Sequence, residues 1–386
     1  MASEKAIEKV FTRINQRGNL ACSCIVRLPD GSVHKLGDEE PAFELLVRNK
    51  LGLKAFLSLD QLAIGDAYCH DNIDVQGDMV KALGLQEILS QKSLWIKIWR
   101  WLKPILIGHK RCNPAWIAKH YDADNLQIIA TDDDFDSYTP GIYKEGETLE
   151  KGIKRKLDFA FQSLKLKPDD SMLDIGCGWG SFTRFAVQRG VNVTGITLSK
   201  HQKEYTEQII LNNKLTNAQV HYQDFFHYQT DKQYDGISMM GVIEHLSDYR
   251  KVIKHLVTLL KPGGRVYLDF ATSVKRFGTS VFITKYIWPG TFRMVYLPEF
   301  IDAVNKSPFE IDSMYNDRLN YYHWSRLIQK RWIKHKEKIL KQANESVWRL
   351  FNILFAGTAA IQSSPSYRAS AYRVVLELPA DHKALA

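Results

Sequence analysis

Apolar residues along the second half of the chain follow two periods, one typical of helices and one typical of strands. From Gly152 the pattern predicts a helix to about Leu164. Buried strands are then predicted at the short apolar runs SMLDIGC, NVTGITL, AQVHYQD, YDGISMMG and GRVYLDFA. The helical period returns among them in SFTRFAVQRG, KHQKEYTEQIILNN and YRKVIKHLVTLLKPG. This alternation predicts an α/β fold, a doubly wound, Rossmann-like and mostly parallel sheet with its ligand at the carboxyl ends of the strands.

The first part of the chain has a different pattern. Strand-like runs in NLACSCIVRLPDGSVHKLG surround a Pro-Asp-Gly-Ser turn, and short helical patterns follow. Between Lys92 and Tyr121 the chain has seven Lys or Arg, four Trp and no acid. This composition favours an anionic membrane surface, although a linker helix with its tryptophans in the core is an equal alternative. We predict a smaller α+β domain at residues 1–90, a basic Trp-rich linker helix at 91–120 and the α/β domain at 121–386.

Composition and charge narrow the class of protein. With 45% hydrophobic and 25% charged residues, the 386-residue chain has the composition of a soluble globular protein. The net charge of +9 indicates an anionic partner, and charge alone does not choose between nucleic acid and anionic lipid. The five cysteines have no CxxC spacing, which fits a reducing cytosol and predicts no metal site. The start of the chain has no apolar signal segment, so we expect a cytoplasmic protein.

Three glycines occupy alternate positions directly after the first predicted strand of the α/β domain, in LDIGCGWGSF. In a doubly wound sheet this turn faces the cofactor, and glycine lets a ligand lie against bare backbone. Gly176, Gly178 and Gly180 have the spacing GxGxG, whereas dinucleotide-binding turns have GxGxxG. Asp174 precedes them, and its charge would repel a diphosphate but suits an ammonium group. We therefore expect S-adenosylmethionine, which has an ammonium group, a sulfonium and no phosphate.

The next two strands end in groups that suit the rest of this cofactor. The second strand continues into GITLSKHQ, which offers hydroxyl and amide partners to a ribose instead of the usual acid. The third continues into QDFF, which places an acid near the adenine amino group and an aromatic ring against the adenine. The predicted cofactor-binding residues in these segments are Thr197, Leu198, Ser199, Gln202, Asp224 and Phe225. A glycine-rich turn that binds no ligand is the structural alternative.

Taken together, these segments resemble the cyclopropane-fatty-acyl-phospholipid synthases, a family that includes the mycolic acid methyltransferases. The shared segments are HYD, LKPDDSMLDIGCGWGSF, GITLSKHQ, MMGVIEHLSDY, LKPGGRVYL, KYIWPG and NYYHWSRL. The segment AYCHDNIDVQGDM resembles the N-terminal lipid-binding domain of the same family. The resemblance covers nearly the whole chain and implies a class I methyltransferase domain that follows a smaller lipid-binding domain.

The resemblance also implies a reaction and roles for individual residues. The family transfers a methyl group from S-adenosylmethionine to a cis double bond of a phospholipid acyl chain, and a bound bicarbonate removes a proton before the ring closes. Tyr138 and Thr139 match cofactor contacts of the family. A carbocation needs negative or π density nearby, and Glu244, at a predicted strand end, is well placed to hold an anionic or protonated base. A surface or helix-capping acid is the alternative for Glu244. Tyr322 matches the tyrosine that holds bicarbonate; Tyr321 is a rival register, and a packed aromatic is the structural alternative.

Two positions depart from the family pattern. The cysteine whose main chain helps to hold bicarbonate falls on Pro140, which has no N–H to donate. The family's histidine after the fifth strand falls on Asp269, whose charge would repel bicarbonate. We therefore hypothesise that bicarbonate is not the base and that Asp269, with or without Glu244, takes the proton directly. A strand-end acid that contacts solvent or a neighbouring lysine is the alternative for Asp269.

Other functions remain open at this stage. A methyltransferase of a different lipid or small molecule fits the same scaffold, and a catalytically inactive scaffold protein would explain the changed positions. An RNA methyltransferase fits the basic charge, but no RNA-binding module accompanies it, so we expect no nucleic-acid partner. The expected partners are a phospholipid acyl chain or an anionic membrane surface. We expect peripheral attachment at the inner membrane surface, and a homodimer is compatible with the sequence.

Overall fold

A four-stranded sheet with helices forms the N-terminal part of the chain. The structure is a computed structural model that describes residues 4–16, 22–85, 125–131, 135–246, 248–275, 280–287, 292–363 and 369–381. The strands are β1 (Cys24–Arg27), β2 (Val33–Leu36), β3 (Phe43–Val47) and β4 (Ile73–Gly77), and they pair in the order β2-β1-β3-β4. The helices are α1 (Glu4–Gln16), α2 (Lys50–Ser58), α3 (Gln61–Cys69) and α4 (Met79–Gly84). This part is α+β, as predicted.

The hairpin between β1 and β2 forms at the predicted turn. Gly31 has a φ of +88°, which glycine adopts without a steric penalty. The Asp30 carboxylate accepts hydrogen bonds from the backbone N–H and the hydroxyl of Ser32, at 2.9 and 2.6 Å. The turn chemistry visible in the sequence therefore sets the register of the two strands.

A seven-stranded sheet forms the centre of the rest of the chain. Its strands are β5 (Ser171–Ile175), β6 (Asn192–Thr197), β7 (Ala218–Tyr222), β8 (Tyr234–Met240), β9 (Leu260–Ser273), β10 (Glu310–Asn316) and β11 (Ala369–Glu377). They lie in the order β10-β11-β9-β8-β5-β6-β7. The five strands from β5 to β9 run parallel, and β11 is antiparallel to both of its neighbours. The predicted doubly wound, mostly parallel sheet is confirmed.

Helices cover both faces of this sheet. In chain order they are α5 (Asn125–Thr131), α6 (Leu149–Ser163), α7 (Ser181–Val187), α8 (Lys200–Asn212), α9 (Tyr249–Leu259), α10 (Val281–Tyr286), α11 (Leu297–Asn305), α12 (Arg318–Lys334), α13 (Lys336–Leu340) and α14 (Glu345–Ser363). One face packs on a core that includes Leu157 of α6, Trp332 of α12 and Phe355 of α14. The other packs on Leu256 of α9 and Phe300 of α11. Because apolar helices cover the β5–β9 strands on both sides, the strands appear in the sequence as continuous apolar runs.

The N-terminal part contacts the larger part mainly through α14. The Arg349 side chain is 7% exposed and lies 2.7 Å from the Asp71 carboxylate and 3.2 Å from that of Asp74. Asn352 donates to the Tyr68 hydroxyl at 2.7 Å. Within the described residues, no helix is long and apolar enough to cross a membrane. The predicted linker helix at residues 91–120 lies outside the described residues.

Candidate active site

A cavity opens at the carboxyl ends of β5, β6 and β8, where the sequence predicts the cofactor. It contains about 1140 Å³ of empty space. All the predicted cofactor-binding residues line it, from Tyr138 and Thr139 on one side to Asp224 and Phe225 on the other. The cavity also has contributions that the sequence did not indicate, from Asp136, Trp179 and His245.

The glycine turn after β5 forms one wall of the cavity. Gly176, Gly178 and Gly180 have φ values of +69°, +55° and +78°, which side-chain-bearing residues rarely adopt. A Cβ at Gly176 would lie 2.3 Å from a methyl group of Val242, so the packing leaves no room for a side chain at this position. At Gly178 a Cβ would meet no atom nearer than 3.9 Å, so bare backbone faces the cavity there. The turn thus has the cradle geometry that a closely approaching ligand requires.

Asp174 lies at the floor of this turn with its carboxylate held by the protein. Its two oxygens accept hydrogen bonds from the Ser238 hydroxyl at 2.6 Å and the Thr183 hydroxyl at 2.8 Å. Burial raises the pKa of Asp174, and the two hydroxyls act against that rise. These bonds tie β5, β8 and α7 together, so the acid fixes the shape of the turn. Its contact with a ligand ammonium group stays a prediction.

The segment after β6 is ordered by its own hydroxyl and amide groups. The Thr197 hydroxyl donates to the side-chain carbonyl of Gln202 at 2.9 Å. Ser199 is the N-cap of α8, and its hydroxyl accepts from the Gln202 backbone N–H at 3.1 Å. Leu198 lies between them, half-buried against the cavity. A polar side chain held this way can offer its remaining groups to a ribose without a further loss of conformational freedom.

Asp224 and Phe225 close the opposite wall, after β7. The Asp224 carboxylate accepts from the backbone N–H of Phe226 at 2.9 Å and contacts His227 Nδ1 at 3.0 Å. It therefore caps the short 3₁₀ turn that presents Phe225, which is buried and packs edge-on against His255. This packing holds the Phe225 ring in one orientation, as a stacking contact with adenine requires. The stacking contact itself stays a prediction.

Two buried acids lie near the cavity wall: Asp269 on β9, and Glu244 in the 3₁₀ turn Ile243–His245 that follows β8. Glu244 Oε1 accepts from the backbone N–H of Ala271 at 2.9 Å, and Glu244 Oε2 has no hydrogen-bond partner among the described residues. Burial raises the pKa of Glu244 to about 8, and the nearby Asp269 charge adds to the rise. Burial therefore favours the protonated form of Glu244.

Asp269 differs from Glu244 because it has a counter-charge. Lys156 Nζ lies 3.5 Å from Asp269 Oδ2, a contact between charges that is too long for a well-formed hydrogen bond. Burial raises the pKa of Asp269, and the Lys156 ammonium acts against that rise. The same ammonium donates to the hydroxyl of Thr139, which lines the cavity. The neighbouring lysine considered as an alternative for Asp269 is thus present, and it links the acid to the cofactor wall.

The two candidate tyrosines point to different surroundings. Tyr322 packs with Tyr68, Phe282 and Ala356, where the N-terminal part meets α14. Tyr321 instead lies within electrostatic reach of the two buried acids, and burial together with their charges raises its pKa. The structure therefore brings Tyr321 to the acid cluster and places Tyr322 at the contact between the two parts.

The amino-acid sequence of the chain matches a known protein family. Residues 109–367, about two thirds of the chain, match the model described as mycolic acid cyclopropane synthetase. The chain belongs to this family. A separate domain of unknown function matches residues 14–93.

Individual relatives agree with this membership. The chain is 25% identical to a sphingolipid C9-methyltransferase of Komagataella phaffii, over 91% of this chain and 76% of that protein. It is 27% identical to the cyclopropane-fatty-acyl-phospholipid synthase of Escherichia coli, over 70% and 75%. The crystal structure of mycolic acid cyclopropane synthase CmaA1 with SAH has the same fold, with a TM-score of 0.63, 22% identity, and coverage of 69% and 98%.

Membership of the mycolic acid cyclopropane synthetase family makes this chain a methyltransferase that uses S-adenosylmethionine. The cavity residues fit that cofactor on physical grounds. Bare backbone at Gly178 leaves room for close approach, and hydroxyl, amide and aromatic groups line the walls around it. When bound, the cofactor supplies an electrophilic methyl group on a sulfonium.

Sequence reasoning missed several members of the site. Lys156 has no motif around it, and only its place on α6 brings it against Asp269. The Asp136 carboxylate accepts hydrogen bonds from the Arg184 guanidinium at 2.9 Å and from the Tyr205 hydroxyl at 3.0 Å. These two bonds anchor the loop that precedes Tyr138. His245 directly follows Glu244, and that adjacency was the one signal that could have identified it. The segment HYD lies outside the described residues.

Proposed function

We propose that this chain methylates a cis double bond in a phospholipid acyl chain, giving a cyclopropane or a methyl-branched product. The observation that carries the proposal is the pair of buried carboxyl groups, Glu244 and Asp269, directly beyond the cofactor cavity. Methylation of an alkene leaves a positive charge on the acyl chain, which must then lose a proton. A buried site with one protonated and one counter-charged acid is suited to that step.

The family relatives support a lipid acceptor. The proteins named above act, by their names, on sphingolipids and on fatty-acyl phospholipids. The N-terminal part supports the same assignment, because it contains an apolar cleft that opens to solvent and has a volume of about 820 Å³ with that opening included. Its walls include Phe43, Phe56 and Leu83, with Ile353 of α14 at one side. We propose that residues 1–90 form a lipid-binding domain that takes an acyl chain.

The base in this reaction is proposed to be Asp269. Pro140 has no N–H to donate, and the backbone N–H of Ala271 is already bonded to Glu244. Asp269 has a lysine counter-ion that favours its carboxylate form, whereas burial favours the protonated, hydrogen-bond-donating form of Glu244. Tyr321 is proposed to help in place of Tyr322, since its hydroxyl is the one near the acids.

A bicarbonate test addresses the base directly. Activity is measured in carbonate-depleted buffer and again after bicarbonate is added. The proposal expects the same rate in both conditions. A sharp loss on depletion that bicarbonate restores would assign the proton transfer to bicarbonate and not to Asp269.

The acceptor is tested with methyl-deuterated S-adenosylmethionine and phospholipid vesicles. One vesicle sample has cis-unsaturated acyl chains and the control has saturated chains of equal length. Labelled phospholipid is expected from the unsaturated sample alone, with one deuterium lost if the ring closes. Label in neither sample, together with transfer to a small amine such as a heterocyclic amine, would favour the alternative of small-molecule N-methylation.

Attachment to the membrane belongs to the same proposal. We propose that the enzyme acts peripherally at the inner membrane surface, with the basic segment at residues 91–120 towards anionic lipid. The test is co-sedimentation with vesicles of anionic or neutral lipid. Sedimentation with anionic vesicles that falls as salt is added is expected. Equal sedimentation with both kinds would remove the electrostatic part of the proposal. A homodimer is a further proposal, and light scattering of the pure protein tests it.

A further inference from the structure

A buried lysine stands behind the cofactor cavity without a role in the proposed reaction. Lys156 is 2% exposed, although lysine is almost never fully buried unless it is paired. Moving an ammonium group out of water costs several kcal/mol in a real protein. Burial lowers the pKa of Lys156, and the Asp269 carboxylate acts against that fall, so the ammonium form depends on its contacts.

Lys156 contacts two groups, a hydroxyl on the cavity wall and a buried acid. Its ammonium donates to the hydroxyl of Thr139 on the cavity wall. It also lies 3.5 Å from Asp269 Oδ2. The other oxygen, Asp269 Oδ1, is buried and has no hydrogen-bond partner among the described residues. Neither Asp269 oxygen accepts a hydrogen bond from the described residues, so the carboxylate has one counter-ion and free lone pairs that can accept a proton.

The other charges around Asp269 are already engaged. The Arg373 guanidinium lies 3.4 Å from the Asp317 carboxylate and 4.5 Å from the centre of the Phe159 ring. Its charge therefore interacts with Asp317 and Phe159. Titratable groups interact with Asp269 from the neighbouring elements: Lys156 of α6, Glu244 of the 3₁₀ turn Ile243–His245, Tyr267 of β9, Asp317 directly before α12, Tyr321 of α12 and Arg373 of β11. Asp174 of β5 interacts with Lys156. Among them Lys156 is the cation in direct contact with the acid.

We infer that Lys156 is a positioning residue for proton transfer: it holds Asp269 ionised and fixed beside the cofactor wall. The inference rests on the proposed function. In the step, a C–H bond of the cationic acyl chain breaks and its electron pair closes the ring or forms a new double bond. The proton passes to the Asp269 carboxylate, which becomes a neutral carboxylic acid. Lys156 touches neither the substrate nor the proton and acts through Asp269.

The test compares Lys156→Met with Lys154→Met, an exposed lysine on the same helix. With unsaturated phospholipid vesicles, kcat of Lys156→Met is expected to fall by at least about 100-fold, the lower range for loss of a general base. KM for S-adenosylmethionine is expected to change by less than about tenfold, since one hydrogen bond to Thr139 is lost. The acid limb of residual kcat should move to higher pH, because an Asp269 without its ammonium ionises less readily.

A double-mutant cycle with Asp269→Asn distinguishes an effect of Lys156 through Asp269 from a general loss of structure. If the two residues act as one unit, Lys156→Met/Asp269→Asn is as slow as either single variant. The double variant also replaces the whole ion pair, which protects it from misfolding caused by an unpaired buried charge. Should Lys156→Met fail to fold, Lys156→Arg keeps the charge and is expected to retain the wild-type pH profile.

Two results would overturn the inference while the proposed function stands. One is a Lys156→Met rate and pH profile equal to those of Lys154→Met, in a wild-type enzyme that methylates the lipid. The other is a double variant whose loss equals the product of the two single losses. Failure of the proposed function gives a different result, namely a wild-type enzyme that transfers no methyl group to any acyl chain.

Discussion

Replacing Glu244 with glutamine should make the stability of the protein less dependent on pH. Burial raises the pKa of Glu244 from 4.5 to about 8 in the folded chain. Between these values the folded state keeps a proton that the unfolded state has lost, so stability is fully present below about pH 4.5 and is lost as pH rises to about 8. The slope is about 1.4 kcal/mol per pH unit, or about 3 kcal/mol between about pH 5.5 and pH 7.5.

Glutamine cannot titrate, so Glu244→Gln should escape that loss. The difference in Tm, variant minus wild type, is expected to rise by about 4 °C between about pH 5.5 and pH 7.5. Titrating groups far from Glu244 occur in both proteins and cancel in the difference, whereas the charge of Asp269 interacts with Glu244 and contributes to the pKa that is tested. Glu204→Gln, at an exposed site on α8, should show no such change. Differential scanning fluorimetry measures this, and a Tm difference that is the same at both pH values would refute the burial-raised pKa.

Three further perturbations test the site and its support. Gly176→Ala forces a Cβ into a left-handed turn at 2.3 Å from a packed methyl group, so calorimetry should show at least about tenfold weaker binding of S-adenosylhomocysteine. Gln202→Ala removes the Thr197 partner and should weaken the same binding by about tenfold, whereas Gln208→Ala, exposed on the same helix, should not. Arg349→Met takes a buried guanidinium from Asp71 and Asp74 and leaves them with the more exposed Arg48, so thermal unfolding should show a loss of about 1–3 kcal/mol.

Much of the larger sheet could be predicted because its parallel strands are buried on both faces. Ser171–Ile175 is mostly apolar and is bounded by turn residues, and Leu260–Ser273 contains the apolar run Val266–Leu268. The glycine turn was recognisable because left-handed backbone requires glycine at these spacings. By contrast, β10 is half exposed at the sheet edge and carries no continuous apolar run, so the sequence pattern did not indicate it.

Contacts between distant elements were the part that sequence could not supply. Lys156 and Asp269 meet only because α6 packs across the end of β9. The choice between Tyr321 and Tyr322 depends on the helical phase of an aromatic-rich segment, where one residue changes the direction of the side chain by about 100°. The proton affinity of Glu244 follows from burial and not from its neighbours in sequence.

The claim on which the account depends is that the cavity beside Gly176–Gly180 holds S-adenosylmethionine. Isothermal titration calorimetry of the full chain with S-adenosylhomocysteine tests it most directly. The account predicts saturable heat with one site per chain, and a competing titration with S-adenosylmethionine that occupies the same site. No heat with either compound would contradict the cofactor assignment and the methyl-transfer chemistry derived from it.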